Sequence, residues 1–415
     1  MNKRTFAFLF ASVLLSSGLS AAEFNFDQKT NAGAVLSSGR YISSVPTARQ
    51  GRSYGRRRGA NGTWTVMIFA NGKNSLEDDI HKDVNEMERA GSTDRVKVVA
   101  EFGGMNTGGV RRYFIQKDAD MNTINSPVVK EVGNADMGDY RQLVDFAKWA
   151  KATYPADNYM LVIENHGSGW NRRMPTILSR GISYDDATGN HITTPQLGMA
   201  LKEMGGVNVY GSDACLMQMA EVDYEIAPYV QYIVGSEETE PGAGWDYTSF
   251  ITKLQNEPEL NARNVAIHAV NAYGDQYMAL RQSSTMSAID TAALPDFAKL
   301  LDAWTDAVVA ANESAVVKSA RSQAQSYAVR DNKSLAHFVY LVGKATANAD
   351  VKAKGNALID FLQKALVIDN RTVGYDNSRG LAVYLPNYRF SPDYAALQFS
   401  KISKWGQFAK WASTL

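Results

Sequence analysis

Five stretches of this chain read as nearly unbroken apolar runs: "TWTVMIFA" (63–70), "RVKVVAEF" (95–102), "YMLVIEN" (159–165), "VNVYGSD" (207–213) and "YIVGSEE" (232–238). A strand with one face in water alternates polar and apolar residues, so runs of this kind belong to strands covered on both faces. Between them lie segments with apolar residues at helical spacing, such as Leu76, Ile80, Val84 and Met87, or Leu143, Phe146, Ala147, Ala150 and Tyr154. Such alternation predicts an α/β fold, a mostly parallel sheet flanked by helices on both faces. Ser75 is positioned to cap the first helix, and "VRRYFIQ" (110–116), after a Gly-rich turn, is expected to pair as a hairpin with the second run. After about Pro295 the pattern is mainly helical, with Phe297, Leu300, Trp304 and Val308 on one side of a helix and a further helix over 358–366. "GLAVYLP" (380–386) is expected to be a late strand.

The organisation follows in four parts. Lys3 and Arg4, the apolar run Phe6 to Leu15, and small residues through Ala22 have the form of an export leader over 1–22. Residues 23–60 are rich in Ser, Gly, Ala and Arg and bury little, which fits either a solvated linker or a propeptide cut at Arg56 to Arg58. A catalytic-type domain is expected over 61–290 and the mainly helical region over 291–415. The leader predicts a periplasmic or secreted destination. No run reaches the ~18 apolar residues of a membrane-spanning helix. Lys and Arg total 43 against 43 Asp and Glu, and loss of the leader leaves a net −2, so the charge balance gives no reason to expect nucleic acid or an anionic membrane as partner.

In open parallel sheets, ligand sites lie beyond the carboxyl ends of the strands. Two ends carry chemistry. "YMLVIEN" runs into "HGSGW", beginning at His166, and "VNVYGS" runs into "DACLM", which holds Cys215, the chain's only cysteine. A helix is expected from about Ala214, which would place Cys215 at its amino terminus and favour the thiolate. His166 can accept and donate a proton near neutrality. The backbone N–H groups of Gly167 and Cys215 are candidates for an oxyanion site. Each residue alone has a commoner role, Cys215 as a small buried apolar group and His166 as a turn residue. Their joint placement at two strand ends, 49 residues apart, points instead to acyl transfer by a thiol.

With "NHGSGW" around His166, "SDACLM" around Cys215 and "GWDY" (244–247), the chain resembles the clostripain-like cysteine peptidases of the caspase-type clan, most clearly over 63–250. The resemblance implies a caspase-like fold with His166 as general acid/base and Cys215 as the nucleophile forming a thioester. It further implies that Asp213 and Asp246 hold an Arg or Lys side chain just before the scissile bond, a role suited to bidentate carboxylate–guanidinium pairing. Asp213 could equally cap a helix. Relatives are often cut between the two motifs, which makes Arg180-Gly181, in a loop that also carries Arg172 and Arg173, a candidate self-cleavage site; a plain basic surface loop is the other reading. Expected partners are proteins or peptides with Arg or Lys before the cut.

His81, His191, His268 and His337 fit helical or turn patterns, and no His/Cys spacing suits zinc, so no metal residues are assigned. Calcium is compatible with the oxygen-rich "SYDDATGN" (183–190), and no cofactor is required. Two other classes stay open at this point: a non-catalytic secreted module that keeps the caspase-like scaffold for binding, and a serine hydrolase, for which no "GxSxG" elbow is present.

Overall fold

The computed structural model describes residues 62–170 and 181–415, all within one compact unit. The expected leader, the segment 23–60 and residues 171–180, Arg180 among them, lie outside the described residues. In chain order the elements are β1 (Trp64–Gly72), α1 (Glu77–Ala90), β2 (Val96–Gly104), β3 (Val110–Phe114), β4 (Val128–Gly133), α2 (Tyr140–Thr153), β5 (Asn158–Glu164), β6 (Ile182–Asp185), β7 (Asn190–Ile192), α3 (Thr194–Glu203), β8 (Val207–Asp213), α4 (Ala220–Ile226), β9 (Val230–Gly235), α5 (Tyr247–Asn256), α6 (Ala262–Leu280) and β10 (Ser284–Asp290). There follow α7 (Leu294–Ala310), α8 (Ser314–Gln323), β11 (Asn332–Ser334), α9 (Leu335–Ala345), α10 (Ala349–Phe361), β12 (Val367–Val373), β13 (Ala382–Tyr384), α11 (Gln398–Ile402) and α12 (Trp405–Ala412).

Among the described residues, nine strands form one sheet in the order β12-β10-β9-β8-β5-β1-β2-β3-β4. The five from β9 to β2 run parallel, and both borders are antiparallel. The apolar run of β1 explains its central place: Met67 and Phe69 enter the core on one face, while Val66, Ile68 and Ala70 enter the core on the other, all fully buried. Burying each of the larger of these side chains contributes about 1.5–3 kcal/mol, so water on either face would cost the strand its position. Helices α1, α5 and α6 cover the second face. Helices α2, α3 and α4 cover the first, together with the C-terminal helices, whose Trp304, Phe338, Trp405 and Phe408 pack ring against ring. The expected α/β architecture and its mainly helical C-terminal region are both present, and "VRRYFIQ" does pair antiparallel with the preceding strand. Among the described residues no helix is long and apolar enough to cross a membrane.

One local expectation is refined and two are corrected. The late strand expected within "GLAVYLP" is present as β13, short, and pairs with β11 outside the main sheet. The C-terminal strand that does border the sheet is β12, "VIDNRTV"; as a half-exposed edge it tolerates the polar centre that hid it in the sequence. Ser75 does not cap α1, whose N-cap position is Leu76, with Asn74 Oδ1 accepting the Leu76 N–H at 2.9 Å. Finally, no helix starts at Ala214. Residues 214–219 stay non-helical because Leu216 N–H donates to Glu238 O (3.0 Å) and Gln218 N–H to Ser236 O (2.9 Å), tying the segment beside the chain that leaves β9. Leu216 adopts φ +64° in this turn, and α4 begins only at Ala220.

Candidate active site

β5 and β8 are neighbours in the sheet, with Glu164 paired to Asp213 and Asn165 N–H donating to Asp213 O at 3.1 Å. Two residues beyond each paired position stand His166 and Cys215, so the parallel register itself sets both residues at the same carboxyl edge, on neighbouring loops. The two loops touch at Gly167. A Cβ on that residue would lie 2.4 Å from Cys215 O, 3.0 Å from Ala214 Cβ and 3.1 Å from Cys215 N. Only glycine admits this approach.

His166 is partly buried, and its Nε2 lies 3.1 Å from Ser75 Oγ, the residue that leaves the helix cap to face the site. Burial pulls the imidazole below its ordinary pKa, with the Asp186 carboxylate acting in the opposite direction. It is therefore neutral at physiological pH and ready to accept a proton. Cys215 behaves oppositely to the sequence expectation. With no helix amino terminus beneath it, burial pushes the thiol up to about 12, and the neighbouring Glu240 and Asp213 carboxyls add to the rise. The N–H of Glu240, 3.2 Å from Sγ, and Cys215's own N–H favour the thiolate but do not overcome desolvation. In this form the pair is thiol and neutral imidazole.

Asp213 does not cap a helix. It is buried at the end of β8, where Oδ2 accepts from Tyr247 Oη (2.9 Å) and from the Trp245 N–H (3.1 Å). Burial raises its carboxyl to about 6 despite these bonds and a shared proton with Glu240. Glu240 is partly buried and accepts the Ala214 N–H at 3.2 Å through Oε1. Asp246 takes a different place: it caps α5 by accepting the Ser249 N–H at 2.7 Å, and its charge acts on Glu86, whose carboxyl is raised to about 7 by burial first and Asp246 second. Sequence reasoning missed Glu240, although "SEETE" follows the strand next to β8 and lay within reach of the strand-end rule. It also missed Ser75, which only the long-range pairing of β1 with β5 brings to His166.

The rest of the surroundings fix these loops. Trp170 packs edge-on against Tyr384 (4.8 Å) and Tyr394 (5.0 Å), and Ala382 N–H donates to Gln218 O at 3.1 Å, so the C-terminal region supports both motifs from behind. Gly181 O accepts the Ser168 N–H at 3.0 Å, which ties the residue following Arg180 to the histidine loop. The oxygen-rich 183–190 stretch is the β6–β7 hairpin. Its Asp185 pairs with Lys73 at 3.0 Å and accepts the N–H groups of Met137 and Thr188, which commits the carboxylate within the protein.

With this geometry established, comparison with known proteins gives consistent results. Clostripain of Hathewaya histolytica is 25% identical over 221 residues, 46% of this chain and 42% of that protein, so the match spans less than half of the relative's length. Two solved structures share the fold. A secreted C11 cysteine protease from Bacteroides thetaiotaomicron, in complex with an irreversible peptide inhibitor, gives a TM-score of 0.63 at 21% identity, covering 84% of this chain and 99% of that one. An inactive zymogen C11 protease from Parabacteroides distasonis gives 0.62 at 18% identity, covering 82% and 97%. The model of the clostripain family, peptidase C11, matches residues 68–415, from the first strand through the supporting C-terminal region, and this chain belongs to that family.

Proposed function

We propose that this chain is an exported cysteine endopeptidase that cleaves after Arg or Lys, with His166 and Cys215 as its catalytic dyad. The observation that carries the reading is the placement of both residues two positions beyond the paired Glu164 and Asp213 on adjacent parallel strands, with Gly167 against the Cys215 backbone. Family membership supports the same chemistry. In the reaction, Sγ bonds to the scissile carbonyl carbon as its proton passes to His166. The C–N bond then breaks, the proton goes to the leaving amine, and water, deprotonated by His166, hydrolyses the thioester. The N–H groups of Gly167 and Cys215 receive the oxyanion.

Asp213 receives the basic side chain, with Glu240 as the adjacent carboxyl and Asp246 adding negative charge from farther off. A neutral, half-buried thiol fits a latent uncut chain, and one structural relative is described as an inactive zymogen. Self-cleavage at Arg180-Gly181, beside the histidine loop, is the maturation step in this reading. The test is mass spectrometry of purified protein incubated with a peptide library. Cuts after Arg or Lys are expected, together with a self-cut at Arg180 that is absent in Arg180→Ala. Turnover retained by Cys215→Ala would sink the thiol mechanism, and wild type that stays one chain while fully active would refute the maturation step.

A further inference from the structure

Behind Asp213 lie two more acids from separate elements. Glu164 ends β5, and Asp83 sits in the second turn of α1. One donor oxygen from each of Asp83, Glu164 and Asp213 falls within 4.8 Å of the others, and the three residues are only 6%, 3% and 5% exposed. Neither carboxylate oxygen of Glu164 accepts an N–H or O–H from a described hydrogen-bond donor; what faces it is the carboxyl of Asp83. The charged groups acting most strongly on the three are further acids, Glu86, Asp79 and Glu240, and one another. The loop above is held close by Gly244 at φ +55°, where a Cβ would come 3.2 Å from Asp213 Oδ2 and 3.3 Å from Asp83 Oδ2.

A buried carboxyl pair with no basic partner is costly to a folded protein, and an amide or apolar pair would be stabler there. An arrangement of this kind is explained when the missing positive charge arrives from outside. We infer that Glu164 and Asp83 form a second carboxyl layer behind Asp213 that sets the site's selectivity for a substrate cation, a deepening that rests on the basic side-chain role proposed for Asp213. Glu164 does not touch the substrate; it acts through Asp213. A guanidinium or ammonium arriving at Asp213 favours the ionised form of the two acids behind it, which burial otherwise holds toward the protonated form, so the layer's negative charge appears with the cation; a neutral side chain of the same shape leaves the acids protonated and gains nothing from them. An inorganic ion is the poorer fit. Calcium takes six to eight oxygens, while three carboxyls converge here and the neighbouring Tyr247 hydroxyl is already donating to Asp213.

The experiment compares full-length wild type, Glu164→Gln and Asp83→Asn on peptides that differ only before the scissile bond: arginine, lysine, and citrulline as the neutral isostere of arginine. The expected result is a fall of about tenfold or more in the arginine-to-citrulline ratio of kcat/KM in Glu164→Gln. The change should appear mainly in KM, with Tm unchanged or raised and the iodoacetamide labelling rate of Cys215 unaltered. A lowered Tm with equal loss on all three peptides would show a merely structural role and overturn the inference. If Glu164→Gln fails to fold, the Asp83→Asn ratio decides. A ratio equal to wild type in both folded variants overturns the inference while leaving the arginine preference standing. Wild type with no preference for arginine over citrulline refutes the basic side-chain reading itself. A Ca2+-dependent rise in wild-type Tm that is lost in Glu164→Gln, at unchanged ratio, would assign the layer to a metal instead.

Discussion

The thiol of Cys215 offers the sharpest quantitative test. Alkylation by iodoacetamide proceeds through the thiolate, so its rate follows the thiolate fraction. With the ordinary value of 9.0, about a tenth of an exposed cysteine is ionised at pH 8; with the thiol pushed up to about 12, the fraction is about one in ten thousand. Uncut protein should therefore label about a thousandfold more slowly than a free exposed thiol at pH 8. The logarithm of the rate should climb with unit slope through pH 10, because no plateau is reached below the thiol's own titration. The assay is mass-resolved labelling of the Arg180→Ala chain across pH 6 to 10. Glu240→Gln should speed labelling, since it removes a carboxyl that opposes the thiolate and keeps the Glu240 backbone N–H that supports it. A labelling midpoint at or below pH 8 in uncut wild type would refute desolvation as the controlling influence and restore an activated resting thiolate.

Other outcomes follow from the same geometry. Gly167→Ala forces a Cβ to within 2.4 Å of Cys215 O, so peptide turnover should fall at least a hundredfold while circular dichroism shows the fold retained; near-normal turnover would mean the two loops are free to part. Asp213→Ala should reduce kcat/KM on arginyl peptides by about a hundredfold or more, the scale of a broken buried charge pair, and unchanged kinetics in a folded variant would reject its role. The pH dependence of arginyl cleavage should show an acid limb near 6, where Asp213 takes up its proton. For stability the sign is the reverse. Folded Asp213 titrates at about 6 against 3.8 ordinarily, so between those values the folded protein holds a proton that the unfolded chain has released. The contribution of this proton is whole below pH 3.8 and is lost as the pH rises through 6, about 3 kcal/mol in all. Asp213→Asn removes that loss, and its Tm at pH 7.5 should equal or exceed that of wild type; a fall of many degrees would show that the carboxylate is a structural stabiliser.

The acid cluster and the thiol together describe a site whose folded form is electrostatically unfavourable until a cation and a peptide arrive. Four carboxyls, those of Asp83, Glu164, Asp213 and Glu240, have protonation states pushed upward mainly by burial, and the cysteine beside them is held neutral. Sites that bind charge commonly carry such a stability cost.

The periodicities of the chain determined its class without further help. Unbroken apolar runs in β1, β2, β5, β8 and β9 required a sheet covered on both faces, and the strand-end rule placed His166 and Cys215 at its carboxyl edge. Edge strands carry little of that signal, which is why "VIDNRTV" was invisible while the apolar "GLAVYLP" was legible as a strand. What sequence could not give was anything set by contacts between distant segments. The turn at 214–219 is held open by hydrogen bonds to Ser236 and Glu238, so the helix read at Ala214 never forms and the thiol loses the support expected of it. Ser75 reaches His166 and Glu240 reaches Asp213 only because parallel strands far apart in sequence end side by side, and Glu164 meets Asp83 only because α1 packs against the same sheet. Local pattern encodes which face of an element is buried; the protonation of a buried group depends on which other buried groups surround it, and that is decided by the packing of the whole sheet and its loops.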